Sequence, residues 1–122
     1  MSYDWGPHYI IPSKTIKSYS GAVRLREELN EELLRKELEE LNLSGPIVKI
    51  TNPWYYRKKN TETWIKIGES DDRRENFPVR WDTINLENGQ YEILGFMHVF
   101  MKSGEGEIAI TRENVVEVIV EN

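Results

Sequence analysis

The chain has 122 residues, 39% hydrophobic and 30% charged, with a net charge of −5 and no cysteine. That length supports one domain around one core rather than two. The acidic balance argues against nucleic acid as a partner, and the lack of thiols excludes disulfides, thiolate nucleophiles and cysteine metal sites. No apolar run approaches the roughly 20 residues of a membrane helix, so no membrane role is expected.

Residues 1–20 read as an extended N-terminal arm. Gly6, Pro7, Pro12 and Ser13 form turns, while Trp5, Tyr9, Ile10 and Ile11 are too apolar to be left in water. Tyr9 to Ile11 is expected to form a short first strand that stops at Pro12. The arm is expected to dock, either on its own domain or on a neighbouring chain. Residues 1–7 lack the basic and apolar regions of a secretory leader, which points to a chain kept inside the cell or to a module cut from a longer one.

From Ala22 to Asn42 the residues are strong helix formers, with no Gly or Pro and one β-branched residue, Val23. Leu25, Leu29, Leu33, Leu34, Leu38 and Leu41 recur three to five residues apart, which predicts one helix over about 21–42, within a helical segment 21–44. Ser20 is the expected N-cap and Asn42 the expected stop, with Gly45-Pro46 preventing extension. The leucine stripe suits either packing on the chain's own domain or a partner helix.

Residues 45–122 read as short strands. Ser44 to Thr51, Trp54 to Arg57, Thr63 to Ile67, Pro78 to Trp81, Tyr91 to Met101, Glu107 to Thr111 and Val115 to Val120 are β-prone and bounded by turn signals. Val116, Val118 and Val120 alternate as a half-buried strand does. Asn88-Gly89 is a strong turn signal, because both residues tolerate positive φ. Seven such runs in about 78 residues predict an antiparallel two-sheet sandwich.

The central segment, Phe77 to Ile93, carries Trp81-Asp82-Thr83 and then Asn88-Gly89-Gln90-Tyr91. It resembles the Trp-Asp-Thr…Gly-x-Tyr segment of bacterial immunoglobulin-like domains, β-sandwich modules found in surface proteins and in some phage structural proteins. Ile67-Gly68 resembles the pair that closes a hairpin in that family. The resemblance implies a mostly β fold, an immunoglobulin-like antiparallel sandwich over 45–122, to which this chain adds the arm and the helix.

The resemblance also orients Tyr91 inward. Ile93, Gly95, Met97, Val99 and Met101 then point inward too, and Leu94, Phe96, His98 and Phe100 point outward, where a free sandwich carries Thr, Ser or Lys. An exposed apolar row of this kind is a sticky patch, so something is expected to cover it. The two candidates are the leucine stripe of the helix and another protein subunit. Trp5, Tyr9, Ile10, Leu94, Phe96, His98 and Phe100 are therefore the candidate interface. Trp54, Tyr55 and Tyr56 are a weaker candidate for stacking on sugar rings.

No catalytic constellation emerges. His8 and His98 lack metal-ligand spacing, and Gly104-Glu105-Gly106 lies between strands rather than before a helix. Glu69, Asp71, Asp72 and Glu75 are interrupted by Arg73 and Arg74 and read as a solvated loop rather than a Ca²⁺ site. Arg57-Lys58-Lys59 beside three aromatics imitates a nucleic-acid surface but suits a solubilising hairpin tip better. No cofactor and no metal are expected. The sequence points to a non-enzymatic structural or assembly protein. The leading expectation is a virion accessory or capsid decoration subunit, oligomeric or bound to other capsid proteins, located in the virion or host cytoplasm. The alternative is an excised extracellular binding module that contacts carbohydrate or protein. A small cytoplasmic regulator of one host protein is a third possibility. The Glu, Lys, Arg and Ile content is compatible with a thermophilic source.

Overall fold

In the last strand, alternate side chains from Ile110 to Val120 are buried, Val116 only partly, the two-residue period of a sheet with one face on a core. The computed structural model describes residues 10–11, 18–27 and 29–122, and the side chains of Ile10, Ile11 and Ser18 lie outside that description. In chain order the elements are β1 (Ile10–Ile11), β2 (Ser18–Tyr19), β3 (Ala22–Glu27), α1 (Glu31–Glu40), β4 (Ile47–Lys58), β5 (Ile65–Ser70), a 3-10 turn (Arg73–Glu75), β6 (Val79–Asp82), β7 (Gly89–Ser103) and β8 (Gly106–Val120).

The strands form two sheets, ordered β1-β3-β6 and β2-β8-β7-β4-β5. Every pairing is antiparallel except β2 with β8, where Ser18 and Tyr19 run parallel to Ile119 and Val120. The fold is therefore the mostly β, two-sheet sandwich with one helix that the residue pattern predicts. Ile10–Ile11 is a strand as expected, and it pairs with Glu27 and Arg26 of the same chain. Trp5 and Tyr9 lie outside the described residues.

The small sheet covers only part of the large one. Leu25 and Trp81 from the small sheet share a buried cluster with Tyr19, Trp54, Tyr91, Ile93, Val118 and Val120 from the large sheet. The far half of the same inner face, namely Ile50, Met97, Val99, Met101 and Ile110, is covered by Leu34 and Leu38 of α1, together with Phe77. As expected, Tyr91, Ile93, Gly95, Met97, Val99 and Met101 all point inward and are buried. The helix thus acts as an extra lid where the long β7–β8 hairpin outruns the small sheet.

The helix is shorter than predicted. Ala22–Glu27, expected to be its first turns, is instead a strand that pairs with β6, Val23 opposite Trp81 and Leu25 opposite Val79. Strand pairing and burial of Leu25 between the sheets override the helical propensity of Ala-Val-Arg-Leu-Arg-Glu. The N-cap is Asn30 rather than Ser20, and its Oδ1 accepts from the Leu33 N–H at 3.1 Å. Asn42 does end the helix, at a φ of 57°. The Leu43 N–H donates to Leu38 O and the Asn42 N–H to Glu39 O, the paired bonds of a Schellman stop.

Two pairs of predicted strands are single strands. Ser44–Thr51 and Trp54–Arg57 are one strand, β4, which runs through Pro53, and a bulge follows at Trp54/Tyr55. Proline lacks the ladder donor and is tolerated beside such an irregularity. Glu107–Thr111 and Val115–Val120 are likewise one strand, β8, continuous through Arg112, Glu113 and Asn114. Gly68 closes no hairpin; it lies inside β5 opposite Trp54, where an added side chain would meet Val79 at 3.4 Å.

Asn88-Gly89 joins no hairpin either, because β6 and β7 lie in different sheets. The chain turns this corner on Trp81-Asp82-Thr83. The Thr83 hydroxyl donates to Gly21 O at 2.7 Å, the Asp82 carboxylate accepts from the Ile84 N–H, and Asn122 Nδ2 donates to Thr83 O at 2.6 Å. Gly21 sits at a φ of 64°, a conformation that costs glycine little, and its N–H donates to Asn122 Oδ1. The corner is thus tied to the β2–β3 turn and to the end of β8.

Candidate contact face and buried polar belt

The outer face of the large sheet carries the predicted row. Its cross-strand order follows from the register. Phe100 lies beside Lys49 and Ala109, His98 beside Thr51 and Thr111, Phe96 beside Glu113, and Leu94 beside Tyr55 and Val115. Phe96 and His98 stack with ring centroids 4.5 Å apart and planes 25° apart, and Phe100 continues the row 6.1 Å beyond His98. Lys49 Nζ sits 4.9 Å above the Phe100 ring. Leu94 is 7% exposed, the three rings are half-buried, and Val115 is 45% exposed. The centre of the face is therefore apolar, while its charges, Lys49, Lys66, Glu69 and Glu113, stand around it.

The helix does not cover this row. Leu34 and Leu38 pack on Met97, Val99 and Met101, the inward residues of the same strand, so α1 lies on the opposite side of the sheet. This corrects the expectation that the leucine stripe and the aromatic row meet: a helix bound to one face of a pleated strand cannot reach side chains that point through the other. The rest of the candidate interface divides. Ile10 belongs to the small sheet through its backbone pairing, and Trp5 and Tyr9 lie outside the described residues.

The three candidate stacking residues do not share a surface. Trp54 is fully buried, and its indole N–H donates to Phe77 O at 3.0 Å. Tyr56 points inward as well, 5.5 Å from Trp81 and 6.3 Å from Tyr91. Only Tyr55 is on the outer face, opposite Leu94. Successive strand residues alternate sides, so three aromatics in a row cannot form one stacking platform. Trp64, not singled out in the sequence, lies near the hairpin tip, where the Arg57 guanidinium sits 4.1 Å from its ring and bonds Glu92 at 2.9 Å.

Between the two hydrophobic clusters runs a buried polar belt that the sequence reading missed. Glu27 of β3, Asn52 of β4, and Arg112 and Asn114 of β8 are all 5% exposed or less. Arg112 Nη2 donates to Glu27 Oε1 across the gap between the sheets. The carboxylate lies so close to Gly95 that a methyl group there would overlap it. Burial pushes the Glu27 carboxyl above the ordinary range, while Arg112, Asn114 and Asn52 pull it down. Asn52 and Asn114 face this carboxylate, yet Glu27 Oε2, both polar atoms of the Asn52 amide, Asn114 Nδ2 and Arg112 Nε and Nη1 lack protein hydrogen bonds of normal geometry. A signal was available: two-residue steps back from Val120 through Val118 and Val116 arrive at Asn114 and Arg112.

The acidic loop is internally engaged. Asp72 caps the 3-10 turn by accepting from the Glu75 N–H at 3.2 Å, Arg73 pairs with Glu31 of the helix, and Arg24 reaches Glu75 at 3.4 Å. Among the described residues no group of three or more carboxylate or imidazole side chains is placed to hold a metal ion. No helix among them is long and apolar enough to cross a membrane. The chain matches no family model, no curated protein and no solved structure.

Proposed function

We propose that this chain is a non-enzymatic, immunoglobulin-like contact module that docks through the outer face of its large sheet onto an uncharged, apolar surface of a protein partner. An accessory subunit of a virion, working in the particle or in the host cytoplasm, fits this reading. The observation that carries it is the half-buried row Phe96, His98 and Phe100, which continues from the buried Leu94 on the side of β7 away from α1, with charges of both signs around it. Protein interfaces have this anatomy, an apolar aromatic core inside a polar rim. A single mixed-sign rim also disfavours a strongly charged partner such as nucleic acid.

Three features support the immunoglobulin-like part. Strands β8, β7 and β4 are neighbours in the order that the last, sixth and third strands take in such sandwiches. Trp54 is buried on β4, in the place of the core tryptophan. Tyr91 opens β7, and its hydroxyl donates to Glu87 O at 2.7 Å, the bond of a tyrosine corner.

Phe96→Asp and Phe100→Asp test the contact reading. Because the helix packs on the other side of the sheet, both variants are expected to keep the near-UV circular dichroism of the parent. They are expected to lose binding of the neutral apolar dye Nile red and any concentration-dependent mass in sedimentation. Loss of the native spectrum, or dye binding and mass equal to the parent's, would overturn the reading.

A further inference from the structure

We propose that the open edge of β6 is a second docking site, which takes an extended acidic segment of a partner protein as an added strand and seats its carboxylates on Arg80 and Arg24. The site is independent of the contact face above, because the outward side of the small sheet points away from the large one.

The edge comes first. Among the described residues β6 has a ladder partner on one side only, β3. The Thr83 N–H donates to Gly21 O at 2.9 Å, one step beyond the Ala22/Asp82 pair. Bonded and non-bonded pairs alternate along an antiparallel ladder, so Ala22/Asp82 and Arg24/Arg80 are non-bonded pairs. The peptide N–H and C=O groups of Arg80 and Asp82 therefore point away from β3, into the open edge. No backbone group outside the β3 ladder bonds them among the described residues. Strand β5 meets β6 on its inner side, where an added Gly68 side chain would touch Val79, and shares no ladder with it.

The charges choose the occupant. Arg24 and Arg80 stand directly opposite each other in the closer kind of pair, with Arg26 two residues along on the same face. They line an open groove of about 390 Å³ whose other walls, Ala22, Val23, Pro78 and Val79, carry no charge. Among the described residues Arg26 and Arg80 make no ion pair. Arg24 reaches Glu75 at 3.4 Å, but both side chains are more than half exposed and free to exchange partners. A single charge on an edge strand guards it against pairing. A second one directly opposite adds only repulsion, which a carboxylate set beside Arg80 removes. In a chain with a net charge of −5 this cationic face is local. A strand added to β6 places alternate side chains on the outward face, where guanidinium forks match carboxylates. Nucleic acid could answer the cations but not the row of peptide groups. Asp82, at the far end of β6, marks where the partner's acidic run stops.

The probe is a capped peptide of about six residues, an ordinary strand length, in which Thr and Glu alternate. Binding is followed by NMR and hydrogen exchange. The parent chain is expected to bind it, less tightly as salt rises, with the Arg80 and Asp82 amides gaining protection. The double variant Arg24→Glu, Arg80→Glu is expected to lose this peptide and to bind its Thr-Lys counterpart, with the near-UV circular dichroism of the parent. A peptide with Pro in place of Thr keeps the charge but cannot pair, and is expected not to bind. The proposal is overturned by a parent that binds no Thr-Glu peptide, by equal binding of the Pro peptide, or by tighter binding of a single-stranded oligonucleotide of equal charge. Protection of the same two amides that rises with protein concentration alone would seat a second copy there and overturn it too. Should the double variant fail to fold, Arg80→Gln decides: loss of affinity for the Thr-Glu peptide is expected, and unchanged affinity is fatal.

Discussion

Glu27 and Arg112 meet between the two hydrophobic clusters, where buried polar side chains replace hydrocarbon. Two opposed charges there have lost their water, and the pair repays that cost only while both partners are present. Arg112→Met leaves a carboxylate stranded among Asn52, Asn114 and Gly95. It is expected to lower the stability by about 3–5 kcal/mol in chemical denaturation. Joining it to Glu27→Leu removes the stranded charge, and the double variant is expected to recover most of the loss. A double variant as unstable as the single one would mean that the belt is held by its shape and not by this pair. The belt also explains Gly95: the carboxylate takes the space a side chain would need.

At the scale of elements, the helix shows what a pattern can and cannot specify. Leu34 and Leu38 carry its attachment, whereas Leu33, on the same predicted stripe, is 37% exposed. Leu34→Ala is expected to cost about 2–5 kcal/mol, as for other buried leucines. Leu33→Ala is expected to stay within about 0.5 kcal/mol of the parent, as surface changes usually do, and thermal or denaturant unfolding of the two variants checks the difference. Within residues 45–122 the β-prone runs, the inward residues of β7 and the turn at Gly104 were legible because alternation and turn chemistry are local, whereas β2 at Ser18–Tyr19 was not. So was the outward row on β7, once Tyr91 was set inward. The start of the helix was not legible: Ala22 to Glu27 has the composition of a helix, and its strand state is imposed by β6, more than fifty residues away. Pro53 hid the continuity of β4, and the charged and amide residues at 112–114 hid that of β8, since breaks in apolar pattern ordinarily mark turns. Which face the helix covers was beyond reach of the pattern, because a leucine stripe fits either side of a sheet whose two faces are both apolar.

For the molecule as a whole, two of the perturbed groups, Glu27 inside the large sheet and His98 outside it, make opposite demands on pH. His98 has a native pKa below its unfolded value of 6.5, so the unfolded chain binds the extra proton first. Its contribution is complete above 6.5 and is lost as pH falls through that value toward the native pKa. Glu27 has a native pKa above its unfolded value of 4.5, so there the native chain holds the extra proton. Its contribution is complete below 4.5 and is lost as pH rises through the native pKa. The inner belt therefore favours acid and the outer row favours neutrality, and the slope of stability against pH separates them. His98→Phe is expected to remove the part that rises with pH as the histidine loses its proton, leaving the acid limb unchanged. Glu27→Gln, which keeps the shape and drops the charge, is expected to remove the part that falls with pH above 4.5, even though the lone arginine lowers stability at every pH. Denaturant unfolding at a series of pH values measures both slopes. If the two variants changed the same limb, the faces would be coupled through the sheet, and the outer row could not be read as a surface that titrates apart from the core.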